Sequence, residues 1–383
     1  MRAAAPSVAV LIPDRVQFSA YYGGALARWT FEVYQLLQQD FRVTVFGFPT
    51  PKEDLYPLPY VSSRSGAHLC ETIARVPWLR RYQHRVWLRS LAGQLRQFQV
   101  AHIHNRPAWV SWLRTQGYRG RIILHLQNDH LGHWTAEMLD HLAAALDQVV
   151  VCSTYLREQF APKSRLIAGK TRVIFNGVNT RLFHPREDLR QPKTIFFVGK
   201  LIPDKGVLQL AQAYREVLKN HPEAKLVIGG STGFGTHQET PYVRQVRELV
   251  ESLRREHGVP VEFAGYLHHD DELPRWFQRA TIFSCPSLFQ EPFGLVNAEA
   301  MACATPVVAT NRGGVPEVLG GTGALVNPED IPAFSASLSR LLANPDECRR
   351  LGRDGYERCR QQFDWEVIAR TWLALLGEIC SHS

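Results

Sequence analysis

The feature that most restricts the fold of this chain is a repeated alternation of short, mostly apolar runs with stretches of helical periodicity. In the first half the apolar runs fall at 7–13, 42–46, 100–104, 121–126, 148–153 and 172–175. In the second half they fall at 194–198, 224–228, 261–264, 281–285, 306–309 and 323–326. Helical patterns such as 26–38, 207–220 and 242–256 lie between them. A strand loses its in-out alternation when both faces are covered, which is the condition of a parallel sheet. Two successive sets of such β-α-β units in 383 residues predict an α/β chain of two Rossmann-like, doubly wound domains.

The polar stretch 184–192, framed by Pro185 and Pro192, is the expected boundary. The expected domains are therefore 1–184 and 193–360. A last segment, 361–383, carries a helical pattern with no strand after it and is free to pack back on the first domain. Ligands of doubly wound sheets bind beyond the carboxyl ends of the strands, so the cleft between two facing domains is the expected site.

Composition narrows the function. Apolar residues at 45 % and charged residues at 21 % exclude disordered, collagen-like and coiled-coil chains. No apolar run approaches the roughly 20 residues that span a bilayer. The opening residues lack the pattern of a signal peptide and read as the lead-in to a first strand. The seven cysteines (70, 152, 285, 303, 348, 359, 380) form no C-x-x-C pair and no zinc-like ladder. That usage fits a reducing compartment, and a cytoplasmic location is expected. Charge is uneven: residues 1–184 hold 22 Lys/Arg against 11 Asp/Glu, and the remainder 22 against 25. The first half should attract anions. An anionic membrane surface, with the protein peripheral on the inner leaflet, is thus a candidate partner. The mixture of Arg, Trp and Leu at helical spacing over 76–91 serves either that purpose or a core-packed helix with a basic outer face. No nucleic-acid reading motif accompanies the basic charge, so no nucleic-acid partner is expected.

Two segments carry chemistry. In the first, Glu291, Pro292, Phe293, Gly294 and Leu295 follow the strand expected at 281–285 and lead into a helix starting near Phe293 or Gly294. Glu291 would sit in the loop and Glu299 two turns down the helix. Free N–H groups at Gly294 and Leu295, with the positive end of the helix dipole, make a seat for phosphate. Carboxylates beside that seat suit neutral hydroxyl donors such as those of a sugar. In the second segment a strand ends at Val198, Gly199 permits a close turn, and Gly206 opens the next helix. Lys200 and Lys205 on this loop could neutralise a diphosphate as it departs. No D-x-D pair occurs anywhere, so neither a metal site nor a cofactor beyond the substrate itself is expected.

These segments resemble the E-x7-E and G-[RK]-x-x-x-x-K-G elements of glycosyltransferase family four, retaining sugar transferases of the GT-B fold. Gly23 and Gly24 after the first strand, Phe175-Asn176-Gly177-Val178 before the linker, and Gly313-Gly314-Val315-Pro316-Glu317 extend the likeness over residues 20 to 330. The resemblance implies that Lys200 and Lys205 hold the donor diphosphate and that Glu291 contacts the sugar beside the reacting carbon. It implies that Phe293, Gly294 and Leu295 line the donor, and that Glu299 accepts from the ribose. Gly23, Gly24 and Gly199 would allow close approach to phosphate, with the base near Gly265, Tyr266 and Leu267. Many relatives carry a donor-facing His at the end of a first-domain strand. Here that position falls on Gln127, with His125 two residues away on the same face and His130 in the loop. Either His125 or Gln127 is the expected polar contact.

The resulting expectation is a retaining, metal-independent hexosyltransferase. Its donor is a nucleotide-diphosphate sugar, UDP-sugar ahead of GDP-sugar, and its acceptor a saccharide or lipid-linked hydroxyl. Bacterial cell-surface polysaccharide, lipopolysaccharide or glycolipid assembly is the expected setting. A nucleotide-sugar epimerase of the same fold and a non-catalytic sugar-binding subunit are the rivals. The epimerase would act on donor alone, and the subunit would have lost the Glu and Lys side chains that stand here.

Overall fold

The computed structural model describes residues 5–13, 16–19, 24–63, 68, 72, 83–232, 239–258 and 261–381. The chain divides into two compact units, the first made of residues 1–175 and 365–383 and the second of 176–364.

In the first unit the strands are β1 (Ser7–Leu11), β2 (Arg42–Phe46), β3 (Tyr60–Val61), β4 (Val100–His104), β5 (Arg121–Leu126), β6 (Gln148–Val151) and β7 (Thr171–Val173). They form one sheet in the order β3-β2-β1-β4-β5-β6-β7, parallel throughout. Every residue of β1 and β4 is buried: β1 shows it in its sequence as a run of apolar residues after Ser7, whereas in β4 two histidines alternate with apolar residues and are buried all the same. In the second unit β8 (Thr194–Val198), β9 (Lys225–Gly229), β10 (Val261–Gly265), β11 (Ile282–Cys285), β12 (Val307–Thr310) and β13 (Ala324–Val326) pair in the order β10-β9-β8-β11-β12-β13, also all parallel. Both are doubly wound sheets. The strand without a counterpart in the sequence reading is β3, two residues long and preceded by Pro57 and Pro59.

The boundary needs correction. It falls after Phe175, and the polar stretch 184–192 is built into the second unit. The Gln191 N–H donates to the Arg279 carbonyl at 2.8 Å, and the Gln278 amide donates to the His184 carbonyl at 2.9 Å. The Arg190 guanidinium donates to Thr305 Oγ1 at 2.9 Å and to the carbonyls of Phe277, Ala280, Cys303 and Ala304. Prolines and charge mimicked a linker where the chain is a well-bonded strap.

The C-terminal helix Trp365–Ser381 completes the first unit. Its Ile368, Trp372 and Leu376 join a core with Val10, Val33 and Val45, and Trp372 meets Trp29 edge-on at 4.9 Å. Of the Arg/Trp segment, the helix Gln83–Leu95 is described; its Trp87, Leu88 and Leu91 are buried, which makes it a core-packed helix. Residues 73–82 lie outside the described set. Among the described residues no helix is long and apolar enough to cross a membrane.

Candidate functional site

In the second sheet β8 lies between β9 and β11, so the order of crossovers reverses at the β8–β11 pair. The carboxyl ends of these two strands are where a doubly wound sheet offers a ligand site. The loops leaving them are locked together. Gly206 closes the β8 loop with φ 69°, and a Cβ there would stand 1.9 Å from the Pro286 carbonyl oxygen of the β11 loop. No L-residue side chain is compatible with that contact. The Leu288 N–H adds a 2.8 Å bond to the Asp204 carbonyl.

This locking brings Lys205 and Glu291 together. Lys205 Nζ lies 2.8 Å from Glu291 Oε2, with both side chains largely covered. Ser287 Oγ donates to the same carboxylate oxygen at 3.1 Å, and the ammonium lies 4.7 Å from the centre of the Phe289 ring. The loop after β12 braces Glu291 from behind. The Gly314 N–H donates to the Glu291 carbonyl at 2.8 Å, and Gly313, at φ 64°, passes so close that a Cβ would lie 2.2 Å from that oxygen. Below the pair, burial and then the Glu291 charge push the Cys285 thiol up to about 11, so it stays protonated.

The helix Leu295–Ala302 starts one turn past Glu291, capped by Gly294 at φ 83°. A Cβ on Gly294 would meet Asn297 Nδ2 at 2.6 Å. No side chain caps the first N–H groups of the helix, which begins four residues after Glu291. Glu299, buried in the second turn, is held at Oε1 by His269 Nε2, 2.8 Å away. The other ring nitrogen, His269 Nδ1, lies 2.8 Å from Asp270 Oδ1. Carboxylates accept only, so the imidazole satisfies both partners in its doubly protonated form. Among the described residues no hydrogen bond is made to the second Glu299 oxygen.

Lys200 is exposed at the start of the β8 loop, where its carbonyl accepts the Ile202 N–H at 2.9 Å. Gly199 lies against Gly230, whose φ of 117° lets the two backbones touch. Tyr266 is half-buried just beyond β10, and Leu267 packs its side chain against Gly229. Leu295 is half-buried at the helix start. Phe293 is 2 % exposed and packs edge-on against Phe363 at 5.6 Å. Its expected place on the donor is corrected: the ring belongs to the core, and only its backbone belongs to the loop.

In the first unit the expectation for His125 also fails. The side chain has no exposed surface and its ring lies 4.5 Å from Trp29 and 5.2 Å from Trp372, closed off by two helices far apart in sequence. Gln127 stands one residue past β5. Its N–H donates to Asn105 Oδ1 at 2.8 Å, and its side-chain Nε2 is buried without a partner. Asn105 adopts φ 49° there, a conformation that Asn tolerates better than most residues. In the loop beyond, burial and the Arg106 charge lower the His130 pKa. Gly24 opens the helix Gly24–Leu37 at φ 63°, while Gly23 lies outside the described residues.

Two polar contributors escaped the sequence reading, Ser287 and His269. Ser287 stands two residues past β11, at the start of the loop that leads to Glu291. His269 sits three residues past Tyr266 on the loop already picked out for the base; a His beside Asp in a strand-end loop was the available signal.

Two doubly wound parallel sheets, one carrying a glycine-locked Lys–Glu pair at its switch point, define a GT-B glycosyltransferase. A model of glycosyl transferases group 1 matches residues 180–358, and a model of glycosyltransferase family 4 matches residues 23–182. The chain belongs to the family-four glycosyltransferases. It is similar to spore coat protein SA of Bacillus subtilis (strain 168), 26 % identical, with 96 % of this chain and 98 % of that protein covered. It is 32 % identical to an alpha-maltose-1-phosphate synthase of Mycolicibacterium smegmatis over 61 % of this chain and 64 % of that one. Among solved structures, Anabaena Alr3699/HepE in complex with UDP and glucose superposes with a TM-score of 0.71 at 19 % identity, covering 97 % of this chain and 99 % of that chain.

Proposed function

We infer that the protein transfers a hexosyl group, with retention of anomeric configuration, from a nucleotide-diphosphate sugar to an acceptor hydroxyl. The Lys205–Glu291 pair carries this reading. A cation and an anion held 2.8 Å apart at a switch point offer one charge to a diphosphate and the other to sugar hydroxyls. Lys205 and Lys200, with the N–H groups at Gly294 and Leu295, would take up the charge that grows on the departing diphosphate without a metal ion. The free oxygen of Glu299 would accept from the ribose, with the base beside Tyr266 and Leu267. As the acceptor oxygen bonds to the anomeric carbon, the bond to the diphosphate breaks, and the acceptor proton passes to the leaving phosphate on the same face. No strong protein base is then required.

A UDP-sugar is the preferred donor, in keeping with the UDP and glucose named for the Anabaena relative. The acceptor is a saccharide or lipid-linked hydroxyl bound by the basic first unit, in cell-surface polysaccharide, lipopolysaccharide or glycolipid assembly on the cytoplasmic face of a membrane. The test is a thermal-shift panel of UDP, GDP and ADP and their sugars, followed by incubation with candidate acceptors and assignment of the product anomer by NMR. The reading requires a Tm rise with one nucleotide diphosphate that is lost in Lys205→Ala, and an axial or equatorial product linkage matching the donor. Indifference to every nucleotide at millimolar concentration, or an inverted product, overturns it.

A further inference from the structure

Residues 102 and 104 alternate along β4, so their side chains share one face of the first sheet; His125 on β5 is the register partner of His104 and shares it too. All three imidazoles are fully buried. Their ring centres lie 4.3 Å (His102–His104), 5.0 Å (His104–His125) and 5.4 Å (His102–His125) apart. One ligand nitrogen from each ring can be chosen so that all three lie within 4.8 Å of one another.

The hydrogen bonds around this cluster do not close. Thr30 Oγ1 spends its proton on the Leu26 carbonyl, 2.9 Å away, so toward His104 Nε2 at 3.2 Å it can only accept. His104 therefore carries its proton on Nε2, and its Nδ1 is a bare lone pair, buried and without a partner. His102 Nδ1 is engaged by the Tyr34 hydroxyl at 2.7 Å, and its Nε2 has no partner. Neither nitrogen of His125 has one. Each unmet buried polar group lowers stability, and apolar side chains would fill the space without that cost.

We propose that His102, His104 and His125 form a tri-imidazole site for one late first-row transition-metal ion, with copper(I) the best match. A single ion takes up three lone pairs at once, and Tyr34 and Thr30 become the partners that orient two of the rings from behind. Trigonal coordination at about 2.0 Å asks for nitrogens about 3.5 Å apart, a closure that small ring rotations supply. No carboxylate belongs to the cluster, so the ion's charge is not neutralised by its ligands. The desolvation cost rises with the square of charge, which favours a monovalent ion in a dry site. Copper(I) is also content with three nitrogen ligands and needs no water. Trp29 and Trp372 pack around the rings, at 4.5 Å from His125 and 4.7 Å from His102 respectively. Bound there, the ion ties β4 to β5 beneath the helices Gly24–Leu37 and Trp365–Ser381. The site is remote in role from sugar transfer and does not rest on the proposed activity.

The experiment is metal uptake by the intact protein. Copper(I) is delivered anaerobically in competition with a chromophoric copper(I) chelator, with zinc(II) and cobalt(II) in separate arms. Metal content is read by mass spectrometry and stability by thermal unfolding. One copper per chain and a Tm rise of about 5 °C or more are expected, both lost in His125→Phe and His104→Gln. In strong chelator His125→Phe should melt at or above the wild-type temperature, because it removes two unmet nitrogens; this shows that the variant folds. Uptake of zinc or cobalt with copper refused keeps the site and overturns the choice of ion. Less than a tenth of an equivalent of every ion, or equal uptake by wild type and His125→Phe, overturns the site.

Discussion

The imidazoles of the two units stand in opposite surroundings. In the first, His102, His104 and His125 stand toward the carboxyl ends of β4 and β5, yet are walled by Trp29 and Trp372 and short of hydrogen-bond partners. In the second, His269 lies past the end of β10 with a carboxylate on each ring nitrogen. Burial drives the His102 and His125 pKa values well below normal and holds that of His104 at about 3, so these three rings are neutral. Whether helices close over the strand end, more than residue type, decides whether a polar group there reaches a ligand. Charge belongs where the backbone stops pairing and loops can hold it.

That contrast can be broken most severely at Glu291. Glu291→Ala should lower kcat/KM by about 10²–10³-fold, measured with the donor found by thermal shift and with the fold checked by circular dichroism. A loss under fivefold would show that the strand-end pair is structural. Gly206→Ala comes next. Both its left-handed φ of 69° and the Pro286 carbonyl 1.9 Å from the new Cβ oppose the substitution. A stability loss of roughly 1–3 kcal/mol by urea unfolding is expected, together with weaker nucleotide binding as the β8 and β11 loops part. His269→Ala should raise the donor KM about tenfold with kcat little changed, since it frees Glu299 to turn. His269→Gln, which keeps one donor, should recover part of the loss. The smallest effect concerns thiols. Burial raises Cys285 and Cys348 to about 11 and raises Cys303 and Cys359 as well. Of the six cysteines described, only the partly exposed Cys380 should react with a thiol reagent at pH 8 before unfolding, as timed labelling and mass spectrometry would show.

The fold was legible because covered parallel strands write themselves as short, mostly apolar runs; β2, β4, β5 and β8 fall on the residues expected of them. Strand order was not legible, since register depends on contacts between segments far apart in sequence. The 184–192 strap misled because composition reports polarity but not the bonds that Arg190 makes. At the site, the Lys205–Glu291 meeting could be anticipated from the paired glycines and the β-α spacing. The burial of His125 could not, because Trp372, which covers it, arrives from the far end of the chain. The resemblance implied a donor contact at Phe293, although an aromatic ring beside a glycine cap is equally suited to anchoring the loop in the core.

The interrupted make-up of the first unit has a consequence for biosynthesis. Its segment 1–175 leaves the ribosome first, but the helix that closes its apolar interior is translated only after the whole of 176–364. The second unit can reach its native state during synthesis, while the earlier-made portion waits with Trp29 and its neighbours uncovered. Nascent chains stalled before Trp365 should therefore be the ones that chaperones hold.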